Sequence, residues 1–133
     1  MSSHMIVTAK GGIGVVSVDV LLDSLEKYFP DAQFSLIDGS RWKLRTDLYD
    51  IEVEPVSDTS FTITMSGSGN VLRVDGTNDQ NNMAAVAICE ALDTPNRVVA
   101  IESGGAWFTY LVPGMAPEDV ETNRRPFDEL EVW

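Results

Sequence analysis

Residues 61–92, FTITMSGSGNVLRVDGTNDQNNMAAVAICEAL, decide the fold. Phe61-Thr62-Ile63-Thr64-Met65 alternates without a break, apolar on one side and hydroxyl on the other, which is the period of a half-buried strand. Gly67-Ser68-Gly69-Asn70 is a hairpin tip, and Val71 to Val74 is the returning strand. Thr77-Asn78-Asp79-Gln80 then forms a capping box, with Thr77 as N-cap and Gln80 three residues on. The helix it opens runs to about Leu92, with Ala84, Ala87, Ile88, Ala91 and Leu92 as its buried stripe. An antiparallel hairpin running straight into a helix indicates α+β rather than a parallel α/β sheet.

The flanking sequence extends the same pattern. Ile6 to Ala9 reads as a short strand. A helix from about Val18 to Phe29 follows, capped by Ser17, with Val18, Leu21, Leu22, Leu25 and Phe29 on one face and Asp19, Asp23, Glu26 and Lys27 on the other. Pro30-Asp31 stops it. Gln33 to Ile37 is a strand, and Arg41 to Arg45 is expected to pair with it. Ile51 to Val53 is another strand. Arg97 to Ile101 and Trp107 to Val112 form a second hairpin around Ser103-Gly104-Gly105, and Pro117 opens a short helix to about Thr122. The expected fold is therefore α+β, a single antiparallel sheet with two main helices packed on one face and a short C-terminal helix. Residues 6–122 form one domain. Residues 1–5 read as a vector-derived remnant with the native start at Met5. Residues 123–133 form an acidic-aromatic tail that either folds back on the core or docks to a partner.

The chain has 133 residues, 21 acids against 9 bases, and a net charge of -12. That length supports one real core, and the average hydrophobic content argues against general disorder. The acidity opposes binding to nucleic-acid backbones and to anionic membranes. The basic stretch Arg41-Trp42-Lys43-Leu44-Arg45 is flanked by Asp38 and Asp47 and reads as a solvated strand face. No apolar run reaches the length of a membrane span, and no secretion leader is expected. The single cysteine, Cys89, fits a reducing cytoplasm. It lies in the second helix beside the apolar stripe and reads as buried and structural.

Catalytic signatures are sparse. Once His4 is assigned to the remnant, no histidine remains to act as general base or metal ligand. Lys10-Gly11-Gly12-Ile13-Gly14 resembles the opening of the phosphate loop in partition-type ATPases. Val15 and Val16 stand where that loop needs Lys and then Ser or Thr, so no nucleotide and no other cofactor is expected. Asp47, Asp50, Glu52 and Glu54 lie within eight residues. They form an acidic row suited to a basic partner, or the solvated face of an edge strand. In the tail, Phe127, Leu130 and Trp133 are the apolar anchors. The expected partner-binding residues are these seven.

In general character the chain resembles the immunity proteins of bacterial toxin systems, which are small, acidic, single-domain and without a catalytic group. The order of elements also resembles that of secretion chaperones, although the N-terminal strand departs from them. Both resemblances imply a cytoplasmic, non-catalytic protein that holds a basic protein partner, either a toxin or a secreted effector. The competing class is a small carboxylate-dependent enzyme.

Overall fold

The computed structural model describes residues 3–8, 17–37, 49–66, 71–92 and 97–130. Its strands are β1 (His4–Thr8), β2 (Gln33–Ile37), β3 (Asp50–Glu54), β4 (Phe61–Ser66), β5 (Val71–Asp75), β6 (Val98–Glu102), β7 (Trp107–Leu111) and β8 (Arg125–Pro126). Its helices are α1 (Val18–Tyr28), α2 (Asn78–Leu92) and α3 (Pro117–Thr122). Among the described residues the strands make one eight-stranded sheet in the order β2-β3-β4-β5-β1-β6-β7-β8. Every pairing is antiparallel. This is the expected α+β architecture, with α1 and α2 on one face of one sheet. No helix among the described residues is long and apolar enough to cross a membrane.

Alternation along the strands sorts the two faces. Ile6, Ile51, Val53, Ile63, Met65, Leu72, Val74 and Ala100 point toward the helices and are 0% exposed. Leu21 and Leu25 of α1 and residues 84–88 of α2 fill the layer above them. Small alanines let α2 lie close on the sheet, and Ser24 of α1 donates to the Ala87 carbonyl at 2.6 Å. That bond satisfies a buried hydroxyl where the two helices meet. The other face of the sheet carries Asp50, Glu52 and Glu54 of β3, followed across the register by Thr62, Thr64, Arg73 and Asp75.

The start of β1 differs from the sequence reading. β1 begins at His4, two residues earlier than expected, and His4 is 0% exposed. A short polar strand start carries too little periodicity to mark its own end. β2 pairs with β3, Phe34 opposite Val53. The tail folds back: Arg125 pairs with Phe108 and Pro126 with Trp107. The glycine turn 10–14, the basic stretch 41–45, Asp47 and Trp133 lie outside the described residues.

Candidate functional site: an acidic cleft beside Arg124

The site is built on the first turns of α2 and α3. At α2 the capping box forms as the sequence predicts. The Gln80 backbone N–H donates to Thr77 Oγ1 at 3.2 Å, and the Thr77 N–H donates to Gln80 Oε1 at 2.9 Å. Asn81 Oδ1 accepts from the Gly76 N–H at 2.8 Å. A Cβ on Gly76 would sit 2.9 Å from Phe61 Cβ and 2.8 Å from Gln80 Oε1, so only glycine fits this entry to the helix. At α3, Asp119 Oδ2 accepts the Ala116 N–H at 3.1 Å, and Val120, 0% exposed, anchors the helix to the core. Both helix starts are thereby fixed in place.

Between them lies a cleft of about 410 Å³, lined by Asp79, Asn82, Met83, Pro117, Glu118, Glu121 and Thr122. Three of these seven residues are acidic and none is basic. Asp79 and Glu118 also benefit locally from the positive ends of their helices. That local gain does not require them to share a single concave wall. Their carboxylates have no hydrogen-bond or ion-pair partner among the described residues.

One wall of the cleft rests on a polar cluster. The Arg124 guanidinium lies 3.9 Å from the centre of the Trp107 ring. Its Nη2 donates to Asn78 Oδ1 at 2.7 Å and to Asn82 Oδ1 at 3.2 Å. Its Nη1 is 3.6 Å from Glu121 Oε1. That same Glu121 oxygen accepts from Asn78 Nδ2 at 2.5 Å. His4 packs edge-on against Trp107, with ring centroids 4.7 Å apart, and its Nε2 is 3.0 Å from Asn82 Oδ1. The cation at Arg124 requires the oxygen of Asn82 on that side, so the imidazole donates through Nε2. Burial, with Arg124 adding to it, lowers the His4 pKa, although the bond to Asn82 opposes the shift. His4 is therefore a neutral, buried donor.

Of the seven expected partner-binding residues, the structure describes five. Asp50 is 1% exposed, so it is no direct contact, and among the described residues of the acidic row Glu52 and Glu54 reach the surface. Asp50, Glu52 and Glu54 do share one face, as their i, i+2 spacing requires. Phe127 remains 40% exposed, while Leu130 is half-buried. The acidic row and the α2–α3 cleft use different residues on different elements. Asp79, Glu118 and Glu121 were missed by sequence reasoning, because each reads locally as an ordinary helix-start or solvated acid. The buried pair Asn81-Asn82 directly after the capping box was the available signal.

The nucleophiles are masked by burial. The Cys89 thiol is pushed up to about 11 by burial, with Glu90 adding to it. Tyr28, which donates to Glu90 at 2.7 Å, and Tyr49 are each pushed up to about 12, again chiefly by burial. No group of three or more His, Cys, Asp or Glu side chains among the described residues could hold a metal ion. The chemistry this arrangement offers is recognition of a cation. The chain matches no protein-family model, no curated protein and no solved structure.

Proposed function

We propose that this is a non-catalytic binding protein that neutralises a basic protein partner, in the manner of a cytoplasmic immunity protein inhibiting a bacterial toxin. The observation that carries the reading is the α2–α3 cleft, where Asp79 and Glu118 present carboxylates with no partner among the described residues. A net charge of -12 adds a long-range field that speeds encounter with a basic partner. Preorganised acceptors in a concave site give such a field a place to dock.

The test is affinity capture from the source cell at low salt, identification of the retained protein by mass spectrometry, and measurement of association with that purified protein. Raising salt from about 0.05 to 0.5 M shortens the Debye length from roughly 14 to 4 Å. The association rate should fall at least several-fold. An acidic or neutral partner, or a rate flat across that range, overturns the reading.

A further inference from the structure

α1 and α2 cover one face of the sheet, and the register sorts what the opposite face carries. Paired across the strands, Thr64, Arg73, Met5, Ile101, Phe108 and Arg125 form one row on that face. Glu52 and Glu54 extend it at the β3 end, since Glu52 pairs with Thr62, two residues along from Thr64. The three described helices lie on the other side, where α2 packs on β1, β5 and β7 while α1 and α3 pack on α2.

Charge is unevenly spread along this open face. At the β3 end Glu52 is half-buried and Glu54 is exposed. Toward β7, the Arg97 guanidinium lies 4.6 Å from the centre of the Tyr110 ring, and that of Arg125 lies 5.6 Å from the centre of the Phe108 ring. A guanidinium held over a ring keeps its charge and its N–H donors for a further partner. Arg125 also meets Glu129 at 3.3 Å, an exposed pair of small worth. Between the two ends, Arg73 and Asp75 neutralise one another at 3.1 Å, and Met5, Val7, Val71 and Ile101 form a half-buried apolar middle. Val99 and Phe108 share the face but are 0% exposed, so they support it rather than touch a partner.

A partner of one sign cannot satisfy both ends. A basic protein would be repelled by Arg97 and Arg125, and an acidic one by Glu52 and Glu54. A second copy, turned over by a twofold axis between the two sheets, carries the inverse distribution. Its arginine end meets the acidic end of the first copy, the reverse contact forms by symmetry, and the apolar middles meet. Sheets stack face to face in this way about 10 Å apart. Strands of about five residues, rising roughly 3.4 Å each, over the six strands from β3 to β7 at about 4.8 Å spacing, give each copy a flat area of roughly 500 Å². Two such faces bury about 1,000 Å², the lower limit of a specific interface, which makes the dimer weak and reversible.

We propose that the open face of the sheet is a self-complementary surface on which two copies of this chain pair, Glu52 and Glu54 of each meeting Arg97 and Arg125 of the other. The α2–α3 cleft belongs to the helix layer on the opposite side and stays accessible in the dimer, so this pairing stands or falls separately from the basic-partner reading.

The experiment is sedimentation velocity on the full chain from about 1 to 500 μM, at about 0.15 M salt, where a Debye length of roughly 8 Å screens the net repulsion but not contact pairs. The parent should pass from monomer to dimer as concentration rises. The acidic-end variant Glu52→Lys, Glu54→Lys and the arginine-end variant Arg97→Glu, Arg125→Glu each set like charges opposite one another, and each should raise the dimer dissociation constant at least tenfold. An equal mixture of the two variants sets opposite charges together again and should restore the dimer. A second measurement needs no variant: in ¹H–¹⁵N NMR of the parent, dilution should move the amides of Met5, Thr62, Thr64 and Ile101 and leave those of α2 in place. A parent that stays monomeric throughout, a dimer indifferent to both variants, a mixture that fails to restore it, or dilution shifts confined to the helix layer would each overturn the proposal.

Discussion

Replacing Arg124 by alanine tests whether the cleft wall is held by the cluster behind it. The guanidinium makes one bond to the buried Asn82 oxygen, one to the exposed Asn78, a stack on Trp107 and a 3.6 Å approach to Glu121. A buried charge-assisted hydrogen bond is worth about 1.5 kcal/mol at the lower end of its range. The stack adds roughly 0.5–1 kcal/mol. The pair with Glu121, whose side chain is 55% exposed, adds little. Asn82 Oδ1 keeps its bond to His4, so the variant leaves no orphaned acceptor there. The expected loss is about 2–3 kcal/mol. At about 2.1 cal/mol/K of unfolding entropy per residue, that lowers the melting temperature by roughly 7–11 °C. Urea denaturation of Arg124→Ala and Arg124→Lys measures it. Lysine keeps the charge but loses the fork and the planar stack, so it should recover less than half of the loss. A lysine variant within about 0.5 kcal/mol of the parent, or an alanine variant losing less than about 1 kcal/mol, would refute the role given to the guanidinium.

Three further outcomes are expected. His4 has a folded pKa below its ordinary 6.5, so the unfolded chain takes up a proton that the fold refuses, and stability should decline as pH falls below about 6.5. The slope is bounded at about 1.4 kcal/mol per pH unit for one proton, and His4→Gln should remove it. Glu102 is lowered from 4.5 by backbone hydrogen bonds, so its contribution is lost only at lower pH and does not mimic that of His4. A denaturation free energy flat between pH 7.5 and 5.5 would contradict the buried neutral imidazole. Gly76→Ala should cost about 1–3 kcal/mol in chemical denaturation, because its Cβ would meet Phe61 and Gln80 below contact distance, and a neutral result would show the turn can shift. Glu54→Lys, on an exposed side chain, should change stability by no more than about 0.5 kcal/mol and slow partner association without abolishing it. Complete loss of binding would move the main contact from the cleft to β3.

Local signals carried most of the fold. The Thr77–Gln80 box and the 3.6-residue stripe of α1 each depend on neighbours within one turn, and both formed as read. The alternation of residues 61–65 placed β4, because burial on one face leaves a period of two. The site was a different matter. His4 and Arg124 meet across 120 residues, and His4 and Asn82 across 78, so no window of sequence contains the cluster. His4 falls in the stretch read as a vector-derived remnant, and its buried place in β1 depends on partners far along the chain. Asp50 read as solvated from its acidic neighbours, whereas the register sets it deep against Thr64 of β4.

The placement of β1 has a consequence for how the chain reaches its fold. β1 precedes the other described strands in sequence, yet it lies between β5 and β6, pairing Ile6 with Leu72 on one side and with Ala100 on the other. The β2–β5 meander and the β6–β7 hairpin can each zip from local turns, but the sheet joins only when five residues from the beginning of the chain slot between them. Closing loops that long is entropically slow, which places folding toward the slow end for a domain of this size. Until that insertion, β5 and β6 each expose an unpaired edge, the surface most prone to pairing with another chain. A nascent or newly diluted molecule is therefore most vulnerable to aggregation in the interval before its own first strand arrives.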